Sequence, residues 1–192
     1  MPKIYIIWFP IVAVVMIGYS IYINKKAKKM RDNLNTDDLY SEFINENYPH
    51  LSGLKFVAAS FSEELGDTAK NIAKLGAKKL AFGVIGVKYR ETQEGPVHAL
   101  LAYDNNKTVV IPVYPDAVNG KLYSDEETTP FEIKDSALSE IKLSDNGLVV
   151  FKDKDGEKIV FKVTEKDFFL KDQSSQKSQF IRRINELQGK LS

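Results

Sequence analysis

The chain has 192 residues, enough for one domain with appendages and short of two ordinary domains. Its 43% hydrophobic and 28% charged content is that of a folded chain, and the absence of cysteine excludes a disulfide framework, a thiolate nucleophile and a zinc ribbon. Of 27 Lys and Arg, six lie in residues 1–31, which hold no Asp or Glu; the remaining 21 stand against 26 acidic residues, and that net of −5 speaks against a nucleic-acid partner.

From Ile4 to Ile23 runs "IYIIWFPIVAVVMIGYSIYI", twenty residues without a charge. At about 1.5 Å per residue a helix of that length spans roughly 30 Å, the hydrocarbon thickness of a bilayer. Tyr5 and Trp8 near one end, and Tyr19 and Tyr22 near the other, suit the headgroup level. A cleaved signal peptide would want a basic start, a shorter apolar core and small residues before the cut, and "GYSIYIN" has no such pattern. Residues 1–24 are therefore read as an uncleaved transmembrane helix. Lys25, Lys26, Lys28, Lys29 and Arg31 follow at once. By the positive-inside rule they put the following side in the cytoplasm, and secondarily they attract anionic lipid. A plain orientation signal is favoured over specific lipid recognition.

Residues 25–79 read as a basic juxtamembrane segment and helical linker. Thr36, with Asp37 and Asp38 behind it, is the expected start of a short helix that Pro49 closes. A second helix is expected over Ser62–Lys79, with a Leu65, Ala69, Ile72, Leu75 stripe and a Lys70, Lys74, Lys78 row taken as a solvated face.

From residue 80 the hydrophobic period becomes two. "LAFGVIGVKYR" alternates with a change of parity at Ile85-Gly86 that predicts a β-bulge. "VHALLAY" and "KTVVIPVY" flank the turn-former "DNN" and read as a hairpin, with Pro112 placing its strand at an edge or ending it. Asp116–Pro130, with Asp125, Glu126 and Glu127, reads as an exposed acidic loop. "FEI" and "SEIKL" are strands, and "DNG" and "DKDG" are turns either side of "LVVF". "EKIVFKV" turns Ile159, Phe161 and Val163 inward. A last helix runs from Ser174 to Gly189 with Phe180, Ile181, Ile184 and Leu187 on one face and Gly189 as its stop.

The run "ALLAYDNNKTVVIPV … FEIKDSALSEIKLSDNGLVVFKDKDGEKIVFKV … SQFIRRINEL" resembles the PH-like superfamily in its bacterial PH and GRAM-type versions. There a strand pair precedes an "F-x-I-x-x-S-x-[IL]-x-x-I" segment, matched here by Phe131, Ile133, Ser136, Leu138 and Ile141, and two strands and a capping helix follow. The resemblance covers about the last 110 residues. It implies an α+β body over residues 80–192: a bent antiparallel sheet or barrel of 6–7 strands capped by the C-terminal helix. Lys88 and Arg90 alone do not make the basic cluster that lipid-binding members carry, so the resemblance points to a protein partner before a lipid.

Nothing in the chain names a reaction. His50 and His98 have no ligand spacing, "DKDG" has Phe151 where a calcium loop needs an acid, and no phosphate loop, nucleophile elbow or zinc helix is present. No catalytic, cofactor or metal residue is assigned. The expectation is a non-enzymatic, membrane-tethered PH-like module at the cytoplasmic face of a bacterial plasma membrane. It binds a protein partner, with the strand edge at 107–114 as one groove for it. The alternative is an extracytoplasmic β-rich domain on an uncleaved signal anchor.

Overall fold

A computed structural model of the chain describes residues 4–61, 98–124 and 130–191, the side chains of residues 4–11 excepted. The expected helix Ser62–Lys79, the strand at 80–90 with its bulge, Lys88 and Arg90, the acidic trio 125–127 and the side chains of Tyr5 and Trp8 lie outside the described residues.

Helix α1, Ile4–Asn33, runs without a break from the apolar stretch through the whole basic segment. Among the described residues, no helix is long and apolar enough to cross a membrane. The expected span draws on residues 4–11, whose side chains are not among them.

Helix α2, Thr36–Asn47, starts at the expected Thr36, with Asn35 as its cap. Asn35 is extended and its side chain accepts from the Asp37 N–H at 3.2 Å, while its amide donates to Asp38 at 2.6 Å. Pro49 opens a 3-10 turn, Pro49–Leu51.

Strand β1, Lys55–Phe61, follows within the segment read as linker. It pairs antiparallel with β2, His98–Tyr103, which forms the expected hairpin with β3, Lys107–Asp116. Asp104 locks that turn by accepting from the N–H groups of Asn106 and Lys107. Strand β4, Lys121–Tyr123, pairs with the end of β3 inside the stretch expected as loop. Strand β5, Phe131–Lys134, pairs with its beginning.

The strands β6, Leu138–Leu143, β7, Leu148–Asp153, and β8, Lys158–Lys162, make the second meander. The order β4-β3-β2-β1-β8-β7-β6, with β5 beside β3, makes an eight-stranded antiparallel sheet among the described residues. With helix α3, Ser174–Leu191, the body is α+β as expected.

Pro112 meets its expectation in part. Among the described residues β3 has β5 beside 107–110 and β4 beside 114–116, so the groove expected at 107–114 is occupied there, while the stretch around Pro112 has β2 as its one neighbour. The proline falls between the last pair with β5, Val110↔Phe131, and the first with β4, Tyr114↔Tyr123. A missing donor costs nothing where the second neighbour is absent.

Turn chemistry behaves as read. Gly147 has φ +82°, and a Cβ there would lie 2.3 Å from the Val163 carbonyl oxygen. Asp153 begins the β7–β8 turn and accepts from the N–H groups of Asp155 and Glu157, which makes "DKDG" a hairpin turn. Helix α3 runs past Gly189 to Leu191, and Gly189 is not left-handed.

The sheet has an apolar layer on each face. One layer holds Val57, Leu101, Phe131, Ile133, Phe151 and Phe161, packed with Phe180, Ile184 and Leu187 of α3. On the other face Tyr40, Phe43 and Ile44 of α2 cover Ala58, Leu100, Ala102 and Ile111. Burial on both sides explains why β1 shows no alternation: Val57, Ala58 and Ala59 are all buried.

Among the described residues, strand β1 meets β8 at Ser60↔Lys162 and Phe61↔Phe161. Below that point the chain after β8 swings away, and Gln173 substitutes for a strand. Its side chain accepts from the Ala58 N–H at 3.0 Å and donates to the Ala58 carbonyl at 3.0 Å, and its amide also reaches the Thr164 carbonyl at 3.0 Å. Gln173 is 4% exposed, so water is no alternative partner.

Two outcomes follow. Gln173→Leu leaves the Ala58 N–H and C=O unpaired in the core and should cost about 3 kcal/mol by denaturant titration, with loss of slow hydrogen exchange at the Ala58 amide. Burial between Ser60 and Phe168 holds His98 below its ordinary pKa of 6.5. Its stability contribution is complete above that value and is lost as pH falls from 6.5 through the depressed folded pKa. His98→Gln should flatten that acid-side slope in urea melts taken between pH 5 and 7.

Candidate functional site

Two opposite ends of β3 carry the polar features of the body. The first is the clasp between α1 and the β3–β4 turn. Asp116 shapes the turn by accepting from the N–H groups of Val118 and Asn119 and from the Asn119 side-chain amide at 2.7 Å. Those bonds, led by the Asn119 side chain, hold the Asp116 carboxyl below the usual carboxylate range. The Asn119 side-chain oxygen in turn accepts from Lys26 Nζ at 3.2 Å.

Gly120, at φ +63°, lies beneath Met30 and Leu34: a Cβ there would come to 3.0 Å from Met30 Cε. Lys171 Nζ closes the clasp by donating to the Asp32 carbonyl at 3.2 Å. Leu34 then packs against the second core.

This contact sorts the five predicted cations by helix face. Lys26 is bound to the turn and Arg31 is half-buried, while Lys25, Lys28 and Lys29 are exposed on the side away from Met30. Tyr19 and Tyr22 are also exposed, at 65% and 62%.

The second feature is a cleft of about 290 Å³ where α3 crosses the β2–β3 turn, lined by Lys55, Tyr103, Asp104, Arg182, Arg183 and Glu186 among others. Its anchor is Arg183. This residue is 8% exposed and shares a helix face with Phe180, Ile184 and Leu187. Its Nε donates to the Asp104 carbonyl and its Nη2 to Asp135 at 2.7 Å, while the guanidinium lies 6.0 Å from the Tyr103 ring centroid.

Burial pushes the Asp135 carboxyl up, and Arg183 draws part of that shift back. Burial likewise raises the Tyr103 phenol against the pull of Arg183 and Arg182. Arg183 Nη1 is buried with no acceptor among the described residues. Lys55 and Arg182 are exposed and form no ion pair among the described residues.

Sequence reasoning placed none of these cleft residues. One signal was present: in the stripe Phe180, Ile184, Leu187, position 183 completes an i, i+3, i+4, i+7 face, so an arginine stands where an apolar residue belongs. Ile181, expected on that face, is only half-buried. His50 is exposed and His98 half-buried in β2, and no group of three or more metal-ligating side chains occurs among the described residues.

Removing one partner of the buried pair tests what holds the cleft. Asp135→Ala strips Arg183 of its carboxylate and should lower stability by about 3 kcal/mol by denaturant titration, whereas Glu140→Ala in the exposed Glu140–Lys142 pair should leave the midpoint almost unmoved.

Comparison with protein-family models, curated proteins and solved structures finds no match to this chain.

Proposed function

We propose that the protein is a non-enzymatic, membrane-tethered binding module of PH-like architecture at the cytoplasmic face of a bacterial membrane, holding a protein partner. The observation that carries this reading is the state of α1. Val14, Val15, Met16 and Ile17 are 69%, 63%, 65% and 61% exposed, and four consecutive positions at 100° steps cover the whole circumference of a helix. Apolar surface on every side of a helix wants lipid rather than one packing partner.

The same helix passes directly into the basic segment clasped by the β3–β4 turn, so the body is held by a strut. Lys25, Lys28 and Lys29, on the strut's outward side, remain available as the orientation signal and for anionic headgroups. A bent antiparallel sheet with a helix packed on β6 and β1 is compatible with the PH-like architecture. The cleft lies at the far end of β3, a strand of ten residues, roughly 30 Å from the clasp. A site so placed suits a soluble partner better than the bilayer.

Reporter fusions after Ser192 check the topology. A reporter that works only in the cytoplasm should be active, and one that works only outside should be silent; the reverse pattern overturns the reading in favour of an extracytoplasmic domain. Replacing Lys25, Lys26, Lys28, Lys29 and Arg31 by Gln should give mixed orientation, and unchanged orientation would remove their topogenic role.

A further inference from the structure

We infer that the cleft between α3 and the β2–β3 turn is a binding site for one oxyanion group, a carboxylate or phosphate, carried by a soluble ligand; this rests on the binding-module reading and supplies the chemistry of its partner. Three cationic side chains line it from two elements: Lys55 opens β1, and Arg182 and Arg183 are successive residues of α3. Of the two carboxylates on the lining, Asp104 is already occupied by the backbone N–H groups of Asn106 and Lys107. Arg183 is paired with Asp135, and Lys55 and Arg182 are the lining cations without an ion pair among the described residues.

Arg183 is the preorganised part. Its guanidinium is fixed by Asp104, Asp135 and the Tyr103 ring, so little freedom is lost when a further bond forms. Its Nη1 has no acceptor among the described residues, and a buried donor in that state is costly until an oxygen reaches it. An oxyanion at the floor of the cleft would supply that oxygen, while the exposed Lys55 and Arg182 close over it from two sides. A volume of about 290 Å³ is at the lower limit of small-molecule pockets, which fits one charged group with a short stem and not a whole nucleotide. The site stands out because the body around it is acidic, so non-specific attraction of anions is weak and the local cluster decides.

The test is a titration of the full-length chain in zwitterionic nanodiscs, monitored by NMR of the Lys55, Asp104 and Arg182 amides. Its arms are inorganic pyrophosphate, an acidic peptide ending in Glu-Glu, and vesicles containing phosphatidylserine. Saturable shifts near a Kd of about 1 mM are expected with pyrophosphate, the peptide or both, and these two arms tell phosphate from carboxylate chemistry. Lys55→Gln and Arg182→Gln, both at exposed positions, should each weaken binding roughly tenfold. Lys154→Gln, an exposed cation in the β7–β8 turn, should leave it unchanged.

No saturable shift with either soluble anion up to about ten times that Kd overturns the proposal, as does binding that Lys55→Gln and Arg182→Gln leave intact. Shifts of the same amides with vesicles alone would overturn the soluble ligand. The titration does not depend on which way the chain faces, so its failure is distinct from a failed topology.

Discussion

The fold depends on one side chain standing in for a strand. Among the described residues β8 meets β1 at two positions, and at Ala58 the chain after β8 no longer pairs with β1, which leaves the Ala58 N–H and C=O in need of partners. Gln173 has the one side chain besides Asn that offers an amide donor and acceptor together, and it reaches both backbone groups from the loop ahead of α3. The same amide ties back the carbonyls of Thr164 and Lys166. The path of the return loop and the starting point of α3 are thus fixed at one place.

The rest of the architecture follows from that placement. A helix leaving Gln173 buries Phe180, Ile184 and Leu187 against the sheet and delivers Arg183 to the turn between β2 and β3. At the other end of those strands, the Asp116-shaped turn offers Asn119 and Gly120 to α1. The body therefore has a helix-bound end and a cleft end, separated by the length of β3. In the proposed reading this polarity is what a tethered binding module needs, because the strut and the partner do not compete for one surface.

Much of this was legible in the residues. The "DNN", "DNG" and "DKDG" turns, the β2–β3 hairpin, the meander from "SEIKL" to "EKIVFKV" and the C-terminal helix all follow from short-range turn chemistry and periodicity. Strand β1 did not show itself because both of its faces are buried and "VAA" carries no alternation. The α2 helix was legible as a helix, but not as the cover of a second core, because a two-sided sheet cannot be deduced from a helix stripe alone. The cleft was hidden for a different reason: Lys55, Asp104, Asp135 and Arg183 come from four segments that only the tertiary fold brings together. Gln173, one polar residue among "KDQSSQKSQ", has nothing local to mark it.

The central claim is that α1 is a strut holding the body with its clasp near the bilayer and its cleft away from it. The chain has no cysteine, so single spin labels can be placed at Lys121→Cys, beside the clasp, and Asn105→Cys, at the cleft, without background. In nanodiscs with nickel-chelating headgroups, power-saturation EPR should find strong collisional relaxation of the label at 121 and little at 105. Equal relaxation at the two positions, or none at either, would contradict the account.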